Sequence, residues 1–245
     1  MPARLTAEGI EASKTSRRDY RELLLTARSF CATRRSVTRW LTGSPSRRPA
    51  STGVLPGVKV DTGTSPLPKG NGAMITVGLD GLGGRLSDYA TRGAAFAKWR
   101  AVIDVRNASE YSLEANAHSQ ARYAALCQDN GIVPIVDQEV LCDGSHALPE
   151  CTEMTERTQA VLFDHLDRHR VDLDDIVLEP NMVTPGLDGE PVSPEAVASA
   201  TLGVLGSLVP PPCRASRSCR VGTPTGSPAT TSAPSTAPPT RRVGR

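Results

Sequence analysis

The sequence predicts an α/β fold, a parallel sheet with helices that amounts to about half of a (β/α)8 barrel. Between residues 53 and 210, four short apolar strands alternate with four amphipathic helices, a pattern typical of parallel β/α units. Four such units occupy roughly 155 residues, about half of the usual barrel. From residue 211 onward the chain is rich in Pro, Ser, Thr and Arg and too poor in apolar residues to supply more units.

The elements follow from hydrophobic periodicity and helix caps. Residues 5–28 carry an apolar face on a charged segment, which predicts a helix. The predicted strands are 54–60, 95–103, 132–141 and 175–180, and the helices lie near 79–92, 112–130, 152–170 and 194–208. Ser193 precedes the last helix and is a suitable N-cap.

Charge divides the chain into four segments. Residues 53–210 hold 11 basic and 22 acidic residues, a net charge of −11, although the whole chain has a net charge of +2. Residues 29–52 contain five Arg and no acid, and residues 211–245 contain six Arg and no acid. We therefore expect an N-terminal helical segment (1–28), an irregular basic stretch (29–52), an acidic folded body (53–210) and a disordered tail (211–245).

Composition disfavours several classes of protein. There is no apolar run suited to a signal peptide or a membrane span, and the six Cys form no C-x-x-C pair. We therefore expect a cytoplasmic protein with free thiols and no membrane partner. The Arg-rich stretches lack interleaved aromatics apart from Phe30 and Trp40, which argues against nucleic-acid binding. His165 and His169 are four residues apart but have no third ligand at a suitable spacing, so no metal is predicted.

Three predicted strands end in polar pairs that share one face. The pairs are Lys59 with Asp61, Lys98 with Arg100, and Asp137 with Glu139. Residues i and i+2 of a strand point the same way, and the carboxyl ends of barrel strands are where active sites are built. One such pair is commonly a solvated strand end, but three at successive strands indicate a site.

The sequence segments around these pairs resemble those of class I fructose-bisphosphate aldolases, a family with a TIM-barrel fold. They are Gly-Val-Leu-Pro-Gly-Val-Lys-Val-Asp at 53–61, Gly-Leu-Asp-Gly-Leu at 78–82, Phe-Ala-Lys-Trp-Arg at 96–100, Asn-Gly-Ile-Val-Pro-Ile-Val at 130–136 and Pro-Asn-Met-Val-Thr-Pro-Gly at 180–186. Arg-Arg-x-Tyr-Arg-x-Leu-Leu-Leu-Thr from residue 17 also fits. By this resemblance the body holds barrel strands three to six, and the first-strand aspartate has no counterpart.

The resemblance implies glycolytic cleavage of fructose 1,6-bisphosphate into dihydroxyacetone phosphate and glyceraldehyde 3-phosphate. The family works through a lysine imine (Schiff base) without metal or other cofactor, as a cytosolic homotetramer. Lys59 and Lys98 match active-site lysines, and Asp61 and Arg100 are the candidate substrate-binding residues. Glu139 matches one family glutamate, and Asp137 stands where the family has another.

Residue 179 departs from the family motif. The family has Leu-Leu-Lys or a similar string before Pro-Asn-Met-Val, and that lysine forms the imine; here the string is Val-Leu-Glu. A carboxylate cannot form an imine, so this lyase activity is expected to be impaired. The alternatives are an active aldolase whose sequence carries errors, and a non-catalytic remnant that binds sugar phosphates or a basic tail. A zinc-dependent class II aldolase is disfavoured, because the histidines are not grouped as ligands.

The two acid-free stretches are consistent with a shifted reading frame. With synonymous codons chosen freely, a shifted frame of residues 29–48 permits VLRDETLRHAVADGLPFPEA, and that of residues 212–225 permits VPGIAFLSGGHTD. Both strings resemble aldolase segments at the matching place in the family. We therefore expect a truncated, frameshifted aldolase-family chain.

Overall fold

The computed structural model describes residues 55–211 and 213–215, a strand at 38–40, and residues 6, 9, 11, 13, 15 and 16. Its elements, in chain order, are β1 (Thr38–Trp40), β2 (Pro56–Lys59), β3 (Thr64–Pro66), β4 (Met74–Thr76), α1 (Leu82–Thr91), β5 (Phe96–Ile103), α2 (Glu110–Asp129), β6 (Val133–Val140), α3 (Leu148–Arg168), a 3-10 turn (Leu173–Asp175), β7 (Val177–Leu178), α4 (Pro194–Leu208) and β8 (Arg214–Ala215). In the described part of the chain, no helix combines the length and apolar character needed to cross a bilayer.

Six strands form one parallel sheet in the order β1-β2-β5-β6-β7-β8. Every neighbouring pair in it is parallel, as expected for strands joined by helical crossovers. In the described part of the chain the sheet is open, because β1 and β8 are its two ends. The predicted partial barrel is confirmed, with β2, β5, β6 and β7 as the four predicted strands.

Two of the helices, α2 and α4, begin at serine N-caps. Ser109 accepts a hydrogen bond from the Ser112 amide, and the Ser109 amide donates to the Ser112 hydroxyl. The predicted N-cap Ser193 is confirmed, because its hydroxyl accepts from the Ala196 amide at 3.2 Å. Each cap satisfies an amide that has no partner within its own helix.

The core lies between the sheet and the helices. Trp99 of β5 is fully buried and stacks on Tyr123 of α2, with ring centroids 5.5 Å apart. The Tyr123 hydroxyl donates to the Ala97 carbonyl oxygen at 2.7 Å. Because side chains alternate along β5, burial of Ala97 and Trp99 against the helices turns Lys98 and Arg100 to the opposite face.

The expectation that both basic stretches are irregular is wrong at five residues. Thr38–Trp40 pairs with β2, and Arg214–Ala215 pairs with β7. An exposed parallel edge presents amide and carbonyl groups that even a short segment can pair with. The remaining residues of 29–52 and the tail beyond 215 lie outside the described residues, as does most of the predicted helix 5–28.

A hairpin between β2 and α1 was not predicted. β3 and β4 are antiparallel and have three residues each. They are too short to show the alternation of apolar and polar residues that predicts a strand. Their connection places Lys69 and Asn71 at positive φ, a conformation that residue type alone rarely indicates for lysine.

Candidate active site

The predicted site residues come from four neighbouring strands, but not all of them lie at strand ends. Lys59 ends β2, Asp61 and Glu179 follow β2 and β7, and the other four lie within β5 and β6. The sheet register pairs Lys59 with Lys98, and Arg100 with Asp137. Glu179 follows β7, and its amide donates to the Val136 carbonyl oxygen at 2.8 Å. We call these residues the strand-end cluster: Lys59, Asp61, Lys98, Arg100, Asp137, Glu139 and Glu179.

Lys98 is the centre of the cluster. Its Nζ atom lies 2.6 Å from Oδ2 of Asp137 and 2.6 Å from Oε1 of Glu179. The side chains of Lys98 and Asp137 are only 4% and 6% exposed, and that of Glu179 is 14% exposed. Lys98 is therefore held between two carboxylates in a site with little water.

Asp137 is an unusual carboxylic acid. Burial raises its pKa to about 6; Lys98 opposes this shift, and Glu179 and Glu139 add to it. Desolvation disfavours the charged carboxylate more than the adjacent ammonium favours it. Near neutral pH this group is therefore close to its titration range.

Two further ion pairs flank Lys98. Lys59 contacts Asp61, and the Arg100 guanidinium contacts Glu139 through Nε. Asp61 also accepts from the Arg100 amide at 3.3 Å and the Gly63 amide at 3.2 Å. Asp61 therefore links the end of β2 to β5, and each cation of the cluster contacts a carboxylate.

The cluster carries more acid than base. Its three cations (Lys59, Lys98, Arg100) face four carboxylates (Asp61, Asp137, Glu139, Glu179), so its formal charge is −1 when all are ionised. A site with this balance does not attract a phosphate anion electrostatically.

Several supporting residues were not singled out from the sequence. Asn181 is buried, and its side-chain oxygen accepts from the Val140 amide at 3.3 Å. Gln120 of α2 donates to the Asp137 carbonyl oxygen at 2.9 Å. Asn181 lies within a motif already noted, but no sequence signal distinguishes Gln120 from other polar helix residues.

The packing of the loop after β7 requires a glycine at residue 186, the last residue of the Pro-Asn-Met-Val-Thr-Pro-Gly string. The Gly186 amide donates to the His146 carbonyl oxygen at 2.8 Å. A Cβ atom on Gly186 would lie 2.1 Å from the Gly144 carbonyl oxygen, so a side chain cannot fit without backbone movement. This contact joins the loop after β7 to the loop after β6.

Comparison with known proteins identifies relatives of the whole folded body. The family model described as fructose-bisphosphate aldolase class-I matches residues 47–216. The chain is 49% identical over 160 residues to fructose-bisphosphate aldolase, cytoplasmic isozyme 2, of Pisum sativum, covering 64% of this chain and 45% of the relative. It is 50% identical over 161 residues to fructose-bisphosphate aldolase 4, cytosolic, of Arabidopsis thaliana, covering 64% and 41%.

A bacterial relative and a solved structure extend the match. The probable fructose-bisphosphate aldolase class 1 of Xanthomonas campestris is 44% identical over 221 residues, covering 84% of this chain and 66% of the relative. The fructose-bisphosphate aldolase of Plasmodium falciparum, solved in complex with TRAP and a small-molecule inhibitor, superposes with a TM-score of 0.81 at 30% identity. That match covers 86% of this chain and 65% of the other. The chain spans less than half the length of the two plant relatives.

Proposed function

Because the chain belongs to the class I fructose-bisphosphate aldolase family, we propose that the strand-end cluster is an aldolase active site without turnover. The observation that carries the proposal is Glu179, which stands where the family motif has its imine-forming lysine. The substrate class we assign to the intact site is the sugar phosphate fructose 1,6-bisphosphate.

The chemistry of the family requires a neutral amine. The lysine nitrogen attacks the ketone, water leaves, and the resulting iminium accepts the electron pair released when the C–C bond breaks. A carboxylate at residue 179 cannot form that bond. Lys98 is no substitute, because its Nζ atom is engaged by Asp137 and Glu179 and is not free to attack a ketone.

Electrostatics supports the same proposal. A lysine at residue 179 would change the formal charge of the cluster from −1 to +1. A bisphosphate substrate is strongly anionic, so the present cluster opposes its approach whereas the charge of the family pattern favours it. Glu179 therefore affects both covalent chemistry and substrate binding.

Asp137 weakens the site further. It stands where the family has a glutamate, and one methylene less withdraws the carboxylate by more than about 1 Å, a displacement that is costly in proton transfer. Its ion pair with Lys98 also fixes it against the strand rather than towards the open end of the site.

The test is a cleavage assay with fructose 1,6-bisphosphate. We expect the purified 245-residue chain to show no cleavage above a Lys98→Ala control. Glu179→Lys alone should not restore turnover, because residues 29–52 and 211–245 would still lack the family-like segments, including the phosphate loop, that the shifted frame permits there. The same substitution in a frame-restored, full-length chain should restore it. Turnover by the unaltered chain above its control contradicts the proposal.

A second candidate is a non-catalytic binding remnant. The excess of carboxylates in the cluster, within a body of net charge −11, favours a basic segment over a phosphorylated sugar as its ligand. An arginine-rich peptide with the sequence of residues 211–245 should then bind the body in trans and lose affinity with salt.

A cytosolic location is proposed from the names of the plant relatives. The homotetramer of the family is likewise a proposal for this chain.

A further inference from the structure

Three of the four histidines meet where helices α2 and α3 pack together. His118 lies on α2, His165 lies on α3, and His169 caps the end of α3. Candidate ligand nitrogens of the three residues all lie within 4.8 Å of one another. Their ring centroids are 5.0 to 6.0 Å apart. We call these three residues the histidine cluster.

The cluster results from the way the two helices pack. Glu114 and His118 are one turn apart on α2, and His165 and His169 are one turn apart at the end of α3, so each pair shares one face. The two faces are held together by contacts of Arg157 with Glu110 and of His165 with Glu114. The sequence spacing of His165 and His169 offers no third ligand, but the packing of α2 against α3 brings His118 next to them.

Hydrogen bonds orient two of the imidazole rings. His169 Nδ1 lies 2.8 Å from the His165 carbonyl oxygen, which only accepts, so Nδ1 carries the hydrogen and Nε2 keeps its lone pair. His165 Nε2 lies 2.5 Å from Oε2 of Glu114. When Nε2–H donates to that carboxylate, the lone pair of His165 is on Nδ1, as in carboxylate–histidine–metal arrangements.

The buried Nδ1 atom of His165 is a second indication of a ligand. Its Nδ1 atom is buried, and among the described residues it has no hydrogen-bond partner. A buried polar nitrogen without a partner is unfavourable, and a coordinated cation would satisfy it. His118, by contrast, is exposed, which leaves solvent access for a further ligand such as water.

We propose that His118, His165 and His169 bind a divalent transition-metal ion, with Zn2+ as the best fit, and that Glu114 orients His165. Zn2+ accepts imidazole nitrogens at about 2.0–2.1 Å in tetrahedral geometry, which corresponds to nitrogens about 3.3 Å apart. Separations of up to 4.8 Å can close by rotation of the exposed His118 and half-exposed His169 rings. Imidazole also suits Ni2+ and Co2+.

The bound ion would join α2 to α3. These helices follow β5 and β6, the two strands that carry Lys98 and Asp137. An ion that binds only the folded chain stabilises it by mass action, so its role is structural. It is separate from the family chemistry, which the strand-end cluster represents.

The experiment uses the full chain, produced without a histidine tag and kept folded and reduced, because Cys127 and Cys151 are buried. Zn2+ binding is measured by calorimetry, and Co2+ binding is followed by visible absorption, which distinguishes nitrogen from thiolate ligands. We expect one bound ion per chain. At 100-fold excess over Kd, Tm should rise by on the order of 5–10 °C.

Three variants and a control decide the assignment. His118→Ala and His169→Ala should each weaken Zn2+ binding about tenfold or more, and leave the metal-free Tm nearly unchanged because neither ring is buried. Glu114→Gln should weaken binding about tenfold, as for other partners of metal ligands. Asp167→Asn, an exposed change on α3, should bind as the unaltered chain does. No binding, or equal affinity in His118→Ala and the control, overturns the proposal.

Discussion

The Nζ atom of Lys98 lies 2.6 Å from Oε1 of Glu179, the residue that we propose stands in the position of the family's imine-forming lysine. In the family pattern these two positions hold two lysines, whose mutual repulsion favours a neutral amine. Here an attraction replaces that repulsion. On our proposal, Glu179 therefore removes the nucleophile and also engages the neighbouring Lys98 in an ion pair.

Glu179→Gln should strengthen the binding of dihydroxyacetone phosphate about threefold to tenfold. The change removes one of the four carboxylates and leaves the cluster formally neutral. One unit of charge in a partly buried site contributes on the order of 1 kcal/mol to the free energy of binding an anion. Calorimetry or ligand-observed NMR measures the affinity. Asp129→Asn, an exposed charge change at the end of α2, serves as the control and should have no effect; equal effects of the two variants would refute the electrostatic argument.

Asp137→Asn should abolish a pH dependence of stability between about pH 4 and pH 6. Since the pKa of Asp137 is raised to about 6 from the ordinary 3.8, the folded chain binds more protons than the unfolded chain in this window. Its contribution to stability is full below pH 4 and is lost as pH rises through 6, up to about 3 kcal/mol in total. Urea unfolding at several pH values measures the slope, and a slope retained in Asp137→Asn would exclude this residue as its source.

Gly186→Ala should destabilise the fold by about 1–3 kcal/mol, because a methyl group there collides with the Gly144 carbonyl oxygen and the joined loops must move. The matched control is Gly203→Ala in α4, where a Cβ has open space. That change should stabilise by about 0.5–1 kcal/mol, since alanine is the better helix former. Chemical denaturation of both variants measures the difference; a neutral Gly186→Ala would mean that the loop contact is loose.

The gene should encode family-like strands in one alternative frame across residues 29–52 and 211–245. Among the described residues of these stretches, Thr38–Trp40 and Arg214–Ala215 pair with the sheet, whereas the shifted strings resemble aldolase segments at the matching place in the family. Resequencing the DNA of both regions decides the matter. Stop codons or unrelated residues in that frame would exclude the frameshift account.

The sequence was most informative about the long strands. β5 and β6 lie within one residue of their predicted limits, because eight-residue apolar strands flanked by helices leave little ambiguity. The same alternation placed the three polar pairs on one face. Once the strand register is known, this shared face brings Lys98 next to two carboxylates.

Features that depend on packing were not predictable. The short strands β1 and β8 form on the open edges of a sheet, and no local pattern marks them. The histidine cluster depends on how α2 lies against α3, since His118 is 47 residues from His165 along the chain. The raised pKa of Asp137 likewise depends on burial, which residue type does not indicate.

Imine trapping tests the central claim most directly. The purified chain is incubated with dihydroxyacetone phosphate, reduced with borohydride and analysed by intact-mass and peptide mass spectrometry, with Lys98→Ala as the control. We predict no reduced adduct, because residue 179 has no amine and the Nζ atom of Lys98 is engaged by Asp137 and Glu179. An adduct on the unaltered chain that disappears in Lys98→Ala would contradict the account and identify Lys98 as a working nucleophile.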